Sequence, residues 1–213
     1  MTKTLILIPS RMAATRLPGK PLLKINNLSI VSHVFKRAEE ANIGEVVVAT
    51  EDQEILKDVQ KNGGRAVLTS SDHKTGTDRI FEAYKKLGIK NVDYVLNLQG
   101  DEPDINKDDI INLNNFMINH EAELGTLASK ILDNKMFNNK NVVKVIVENK
   151  LEKNNFPIAL NFTRENLSAN NKNIYHHIGI YSYKTSVLEK FVNLDQTNNE
   201  KINKLEQLRA LDN

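Results

Sequence analysis

A chain of 213 residues, 40% hydrophobic and 26% charged, has the make-up of an ordinary globular protein with room for a substantial core. A net charge of +2 and 6% aromatics without tryptophan argue against nucleic acid or an anionic membrane as partner. The lack of cysteine excludes a disulfide framework and a thiolate zinc site. No apolar run approaches the ~20 residues of a membrane span and the N-terminus lacks a signal-peptide layout, so a cytoplasmic location is expected.

Leu5-Ile6-Leu7-Ile8 reads as a strand buried on both faces, as in a parallel sheet. It runs directly into a loop carrying Ser10, Arg11, Arg16 and Lys20, and such sheets bind ligands at the carboxyl ends of their strands. Arginine is scarce, seven of 29 basic residues, yet two lie within six positions here. Guanidinium suits bidentate phosphate contact, so Arg11, Arg16 and Lys20 fit a polyanion, with a nucleoside triphosphate the expected one. Neither G-x-x-x-x-G-K-S/T nor G-x-G-x-x-G follows the strand, so a nucleotide is held in some other way. A solvated basic loop is the competing reading.

Residues 30–41 place Ile30, Val31, Val34, Phe35, Ala38 and Ala41 at helical spacing. A strand over 45–50, a helix over 51–62 closed by Gly63-Gly64, and a short strand over 65–68 come next. A helix over 78–87 follows, capped by Thr77 and Gly88, and then a strand over 92–98. Strands alternating with helices of this length predict βαβ units and a mostly parallel, Rossmann-like α/β sheet flanked by helices.

Before the helix at 78, Thr75-Gly76-Thr77 offers hydroxyls and backbone N–H groups at a positive helix end, suited to base, ribose or phosphate. Simple capping is the alternative, and His73 alone reads as a surface or packing histidine. The strand over 92–98 ends in Gln99-Gly100-Asp101-Glu102-Pro103. Asp101, at the ligand edge of the sheet, is a natural magnesium ligand, because Mg²⁺ takes one or two carboxylates and completes its shell with phosphate oxygens and water. A plain turn is the competing reading.

A helix over 105–119 is predicted next. Beyond it, 124–132, 142–147 and 174–183 are strand-like and 156–163 weakly so, without regular helices between them. This predicts an antiparallel or mixed extension in the second half, carrying Arg164, another rare arginine. Alternation along 174–183 puts His177, Gly179, Tyr181 and Tyr183 on one face and His176 on the other. His177 and Tyr181 then share a pocket wall or a wet polar face. Residues 200–211 read as one amphipathic helix, with Leu205, Leu208 and Leu211 on its apolar side and Glu206 and Gln207 away from it.

The stretches IPSRMAATRLPGKPL, HKTGTDR, NLQGDEP, HHIGIYSY and LEQLRAL, in this order and spacing, resemble the 3-deoxy-manno-octulosonate (Kdo) cytidylyltransferases, or CMP-Kdo synthetases, over essentially the whole chain. The resemblance implies transfer of CMP from CTP to an acidic eight-carbon sugar with release of pyrophosphate, activating the sugar for lipopolysaccharide synthesis. It implies that Ser10, Arg11, Arg16, Lys20, Thr75, Gly76 and Gln99 bind CTP, with Thr75 in place of a more usual serine. Lys20, Arg16 and Asp101 become the catalytic groups, Asp101 through Mg²⁺. Gln99, Arg164, His177, Tyr181, Glu206 and Gln207 fall on the sugar side. It also implies a homodimer formed through the extension, and one domain over 1–213 made of a nucleotide part (1–120) and a sugar-binding part (121–213). Family members continue past the LEQLR helix to a second metal-binding aspartate, a segment that this chain, ending at Asn213, lacks. The expectation is therefore of a truncated copy. An 8-amino or sialic-type sugar acid, and a weakened nucleotide-binding protein, are the alternatives.

Overall fold

The computed structural model describes residues 2–13, 17–166 and 173–213. In chain order the strands and helices begin with β1 (Thr4–Ser10), β2 (Lys24–Ile25), β3 (Leu28–Ser29), α1 (Ile30–Glu40) and β4 (Gly44–Thr50). They continue with α2 (Gln53–Lys61), β5 (Ala66–Leu68), α3 (Gly76–Leu87), β6 (Tyr94–Asn97) and α4 (Lys107–Asn119). The second half holds β7 (Leu124–Ser129), α5 (Asn134–Asn138), β8 (Lys144–Val147), β9 (Ala159–Thr163) and β10 (Ile174–Lys184). Three helices complete the chain: α6 (Thr185–Val192), α7 (Asn198–Asn203) and α8 (Leu208–Leu211). Two compact units emerge, Met1–Gly125 with Ile180–Val192, and Thr126–Gly179 with Asn193–Asn213.

The first unit is built on parallel strands in the order β5-β4-β1-β6, with the end of β10 antiparallel to β6. Every residue of β1 is buried, as a central strand covered on both faces requires. The helix α1 lays Ile30, Val31, Val34, Phe35 and Ala38 into the core, and its N-cap Ser29 accepts a hydrogen bond from the Ser32 N–H (3.2 Å). The α2 carboxylate of Asp58 ties it down by accepting from the hydroxyls of Ser29 and Ser32. A mostly parallel α/β sheet flanked by helices is the fold expected from the alternation of strands and helices.

The helix expected over 78–87 starts at Gly76. Thr75, in an extended conformation, caps it by accepting from the Asp78 N–H (3.1 Å), while Thr77 is buried inside the first turn. The cap-to-third-residue spacing singles out Thr75 once the backbone has turned there. The helix α6 follows β10 where the sequence predicts none, and its Leu188 and Phe191 are buried.

In the second unit β8 pairs antiparallel with β9 and with the beginning of β10, the expected antiparallel extension. A short helix, α5, interrupts the strands where none was expected. The predicted helix over 200–211 is also broken. Lys204 adopts a left-handed conformation (φ 53°), ending α7 before α8 begins at Leu208. The break turns Leu205 and Leu208 inward with Val145, Phe162 and Tyr175 and leaves Leu211 exposed. Gln207, assigned to the polar side, is buried. The buried Arg209–Glu200 pair, with bonds of 2.8 and 2.7 Å, spans the break. Among the described residues no helix is long and apolar enough to cross a membrane.

Candidate active site

At the carboxyl ends of the parallel strands of the first unit lies a cavity of about 590 Å³. Its wall draws on Ser10 and Arg11 from the end of β1, and on Lys20 from the loop that follows. Thr75 and Gly76 join from the start of α3, and Gln99 and Asp101 from the segment after β6. The structure thus brings together every residue placed on the nucleotide side except Arg16, which lies outside the described residues. Thr75, rather than the expected Thr77, caps α3, and the same residue lines the cavity.

The loop that carries Lys20 is anchored at its base. The Asp52 carboxylate accepts from the Met12 N–H (2.8 Å), and the Gly19 N–H donates to the Met12 carbonyl (3.1 Å). Gly19 has φ 74°, a left-handed conformation that a side chain disfavours, and it opens the short turn holding Lys20. Lys20 Nζ then meets Asp101 Oδ2 at 2.6 Å, 81 residues away in sequence. On the other side Gly100 lets the chain pass close to β1: a Cβ there would stand 2.8 Å from the Pro9 carbonyl oxygen, a backbone atom that cannot yield. That close passage is what sets Gln99 and Asp101 at the cavity edge.

Ser10 Oγ is buried and has no hydrogen-bond partner among the described residues, an orphan at the wall of the cavity. A buried hydroxyl without a partner is costly unless a ligand supplies one. Burial, reinforced by the charge of Asp101 and opposed by Lys20, raises the carboxyl pKa of Glu102 above its ordinary value.

Two residues that the sequence left out of the site also line the cavity. The guanidinium of Arg79, 2% exposed, pairs with Glu51 after β4 and donates to Thr69 Oγ1 (2.6 Å) and the Ser70 carbonyl (3.3 Å) after β5. His73, read as a surface or packing residue, faces the cavity with its Nε2 bonded to Glu82. Scarcity of arginine was the signal that could have found Arg79; His73 stands at the head of the HKTGTDR stretch, but its partner Glu82 lies nine residues on, within α3.

A cytidylyltransferase family model matches residues 5–213 of the chain. The 3-deoxy-manno-octulosonate cytidylyltransferase of Rhodopseudomonas palustris (strain BisB18) is 47% identical over 216 residues, spanning 99% of this chain and 86% of its own. This chain belongs to the 3-deoxy-manno-octulosonate cytidylyltransferase family. The relative from Thermodesulfovibrio yellowstonii is 42% identical over 224 residues, with 99% and 86% covered. A solved structure of CMP:2-keto-3-deoxy-manno-octonic acid synthetase complexed with CTP superposes with a TM-score of 0.88 at 37% identity, covering 99% of this chain and 86% of that one.

The cytidylyltransferase residues assigned to the sugar divide between the units. Gln99, in the cavity wall, and Tyr181 belong to the first, the Tyr181 ring 6.1 Å from that of Tyr183. Arg164, His177, Glu206 and Gln207 belong to the second. Arg164 donates from Nη1 to the carbonyls of Lys140 (3.4 Å) and Asn141 (3.3 Å). The Glu206 carboxylate is 3.9 Å from Arg209, and Gln207 precedes α8 without capping it through its side chain.

His177 is buried, with Nε2 3.0 Å from Thr126 Oγ1 and its ring edge-on to Phe162. Burial, then the neighbouring charge of His176, lowers its pKa to about 4. The folded state thus resists protonating a group that titrates near 6.5 when unfolded. Its contribution to stability is complete above pH 6.5 and lost as pH falls toward 4, on the order of 3 kcal/mol in all. His177→Gln should flatten the loss of the urea midpoint between pH 7 and pH 4.5; an equal loss in both proteins would refute the assignment.

Proposed function

We propose that the cavity of the first unit takes CTP and that the chain transfers its CMP to Kdo, releasing pyrophosphate. The observation that carries this is the meeting of Lys20 and Asp101 beside Arg11 and the orphaned Ser10 hydroxyl, in a family whose curated members bear that activity's name. Arg11 and Lys20 neutralise the triphosphate, and a polyphosphate offers Lys20 a denser anion than the single Asp101 carboxylate does. Ser10 supplies a hydroxyl to the bound nucleotide, and Thr75 and Gly76 hold the nucleoside. The sugar hydroxyl attacks the α-phosphorus in line with the leaving pyrophosphate, and positioning with charge neutralisation carries most of the rate.

The donor set also fits magnesium. Among the described residues no three His, Asp or Glu side chains gather as a metal cage, whereas Mg²⁺ held on phosphates needs only one or two carboxylates. Asp101 would be its protein ligand, with Glu102, whose pKa burial raises, beside it. When bound, the ion polarises the phosphate and lowers the pKa of the attacking hydroxyl.

On the sugar side Arg164 pairs with the Kdo carboxylate, and His177, Tyr181, Glu206 and Gln207, with Gln99, read its hydroxyls; their place in the family's motifs supports this. The homodimer rests on the same membership and on the exposed Leu160 of β9, next to Ile158, which give the outer strand of the extension an apolar edge. The cytoplasmic location and the supply of lipopolysaccharide synthesis rest on family membership alone.

The test is pyrophosphate release by the purified chain with CTP, Mg²⁺ and Kdo. Steady turnover with Kdo is expected. Turnover confined to an 8-amino or sialic-type acid, or CTP binding without release, would overturn the reading.

A further inference from the structure

The charged groups suited to phosphate, Arg11, Lys20 and Asp101, come from the loops after β1 and β6. The opposite part of the wall, on the β5 side of the order β5-β4-β1-β6, is made by His73, Thr75, Gly76 and Arg79. Arg79 has its charge committed to Glu51. Among the described residues lining that end no cation stands uncommitted for phosphate, and the end suits the uncharged part of a nucleotide, its base.

His73 is held there by a hydrogen bond whose direction is set by its partner. Glu82, on α3, accepts from the Ser70 N–H (2.9 Å), from Lys86 (2.6 Å) and from His73. Although burial opposes it, these bonds lower the Glu82 pKa to about 2, so the group is a carboxylate at any working pH. A carboxylate only accepts, so the proton lies on His73 Nε2, and in the neutral imidazole Nδ1 is left as an acceptor. Among the described residues the other nitrogen makes no recorded hydrogen bond, and 20% of the side chain is exposed.

We propose that His73 reads the base: Nδ1 accepts a hydrogen bond from the exocyclic amine of cytosine, and Glu82 is the positioning residue that holds the tautomer. Uracil presents an oxygen at that place, so two acceptors would face each other and one buried group would go unpaired. Selection of CTP over UTP then resides in a side chain of the β5–α3 loop. This rests on the cavity taking CTP and goes beyond it by naming what distinguishes CTP from other pyrimidine triphosphates.

The experiment compares CTP with the triphosphate of 2-pyrimidinone riboside, which carries hydrogen in place of the amine, and with UTP. Both kcat/KM for pyrophosphate release and equilibrium binding are measured. The unmodified chain should prefer CTP over the amine-free analogue by about tenfold, the worth of one buried hydrogen bond. In His73→Ala the CTP-to-analogue ratio should fall to within about twofold of unity while the analogue itself is used nearly as before. An unchanged ratio, or equal losses with CTP and analogue, overturns the proposal. Should His73→Ala fail to fold, Glu82→Gln gives the same readout: an amide donates as readily as it accepts, so the preference for CTP should drop several-fold, and its persistence overturns the proposal. If the unmodified chain binds CTP without turning it over, the transferase reading fails, while the binding ratios still decide the role of His73.

Discussion

Asp101→Asn should lower the rate of pyrophosphate release by about 10²–10³-fold, the loss typical of removing one group aligned on the reacting charge. The side chain is 52% exposed and contacts Lys20 at the cavity rim, so melting temperature and CD spectrum should stay unchanged. The amide keeps the shape of the carboxylate and loses its charge, which is what a divalent cation requires. Raising Mg²⁺ should restore part of the activity, because a weakened site fills at higher concentration. Lys20→Ala should bring a loss of similar size that added Mg²⁺ does not relieve, since in the proposed reaction the ammonium serves the leaving phosphates rather than the metal. An unchanged rate in Asp101→Asn removes the metal role from Asp101, and magnesium rescue of both variants alike removes the division of labour between the two residues.

The second large effect falls on stability. Arg79→Met should destabilise the chain by about 3–5 kcal/mol, because the Glu51 carboxylate, 18% exposed, would lose its partner while remaining in a low-dielectric place. The guanidinium also joins the ends of β4 and β5 through Glu51, Thr69 and the Ser70 carbonyl, so the loop carrying His73 should loosen with it. The midpoint of urea unfolding reads the first consequence, and amide hydrogen exchange over residues 69–75 the second. Arg79→Met combined with Glu51→Gln should recover part of the loss, as removing both charges leaves none buried and unpaired. A single variant as stable as the unmodified chain would show that the pair carries no such burden.

How much of this was legible beforehand follows from the range of each interaction. The segment Leu5–Ile8, the helix opened by Ile30 and the strand before Thr50 announce themselves through periodicity, which depends only on neighbours a few positions away. The same local grammar announces the parallel sheet and, with it, the edge where Arg11, Lys20 and Asp101 had to stand. It misplaced the cap of α3 by two residues and ran one helix through Lys204, because both outcomes turn on the conformation of a single residue that distant packing selects.

From sequence alone, then, came the class of fold, the carboxyl-end location of the ligand site and the motifs that carry the family. These follow from side-chain spacing and from the chemistry of residue types, which do not change when the chain folds. Only tertiary structure paired Lys20 with Asp101, Arg79 with Glu51, and His73 with Glu82, and left Ser10 Oγ buried without a partner among the described residues. A charge or a hydroxyl has many possible partners along a chain of 213 residues, and which one it meets is decided by strand order and burial, quantities that no single segment contains.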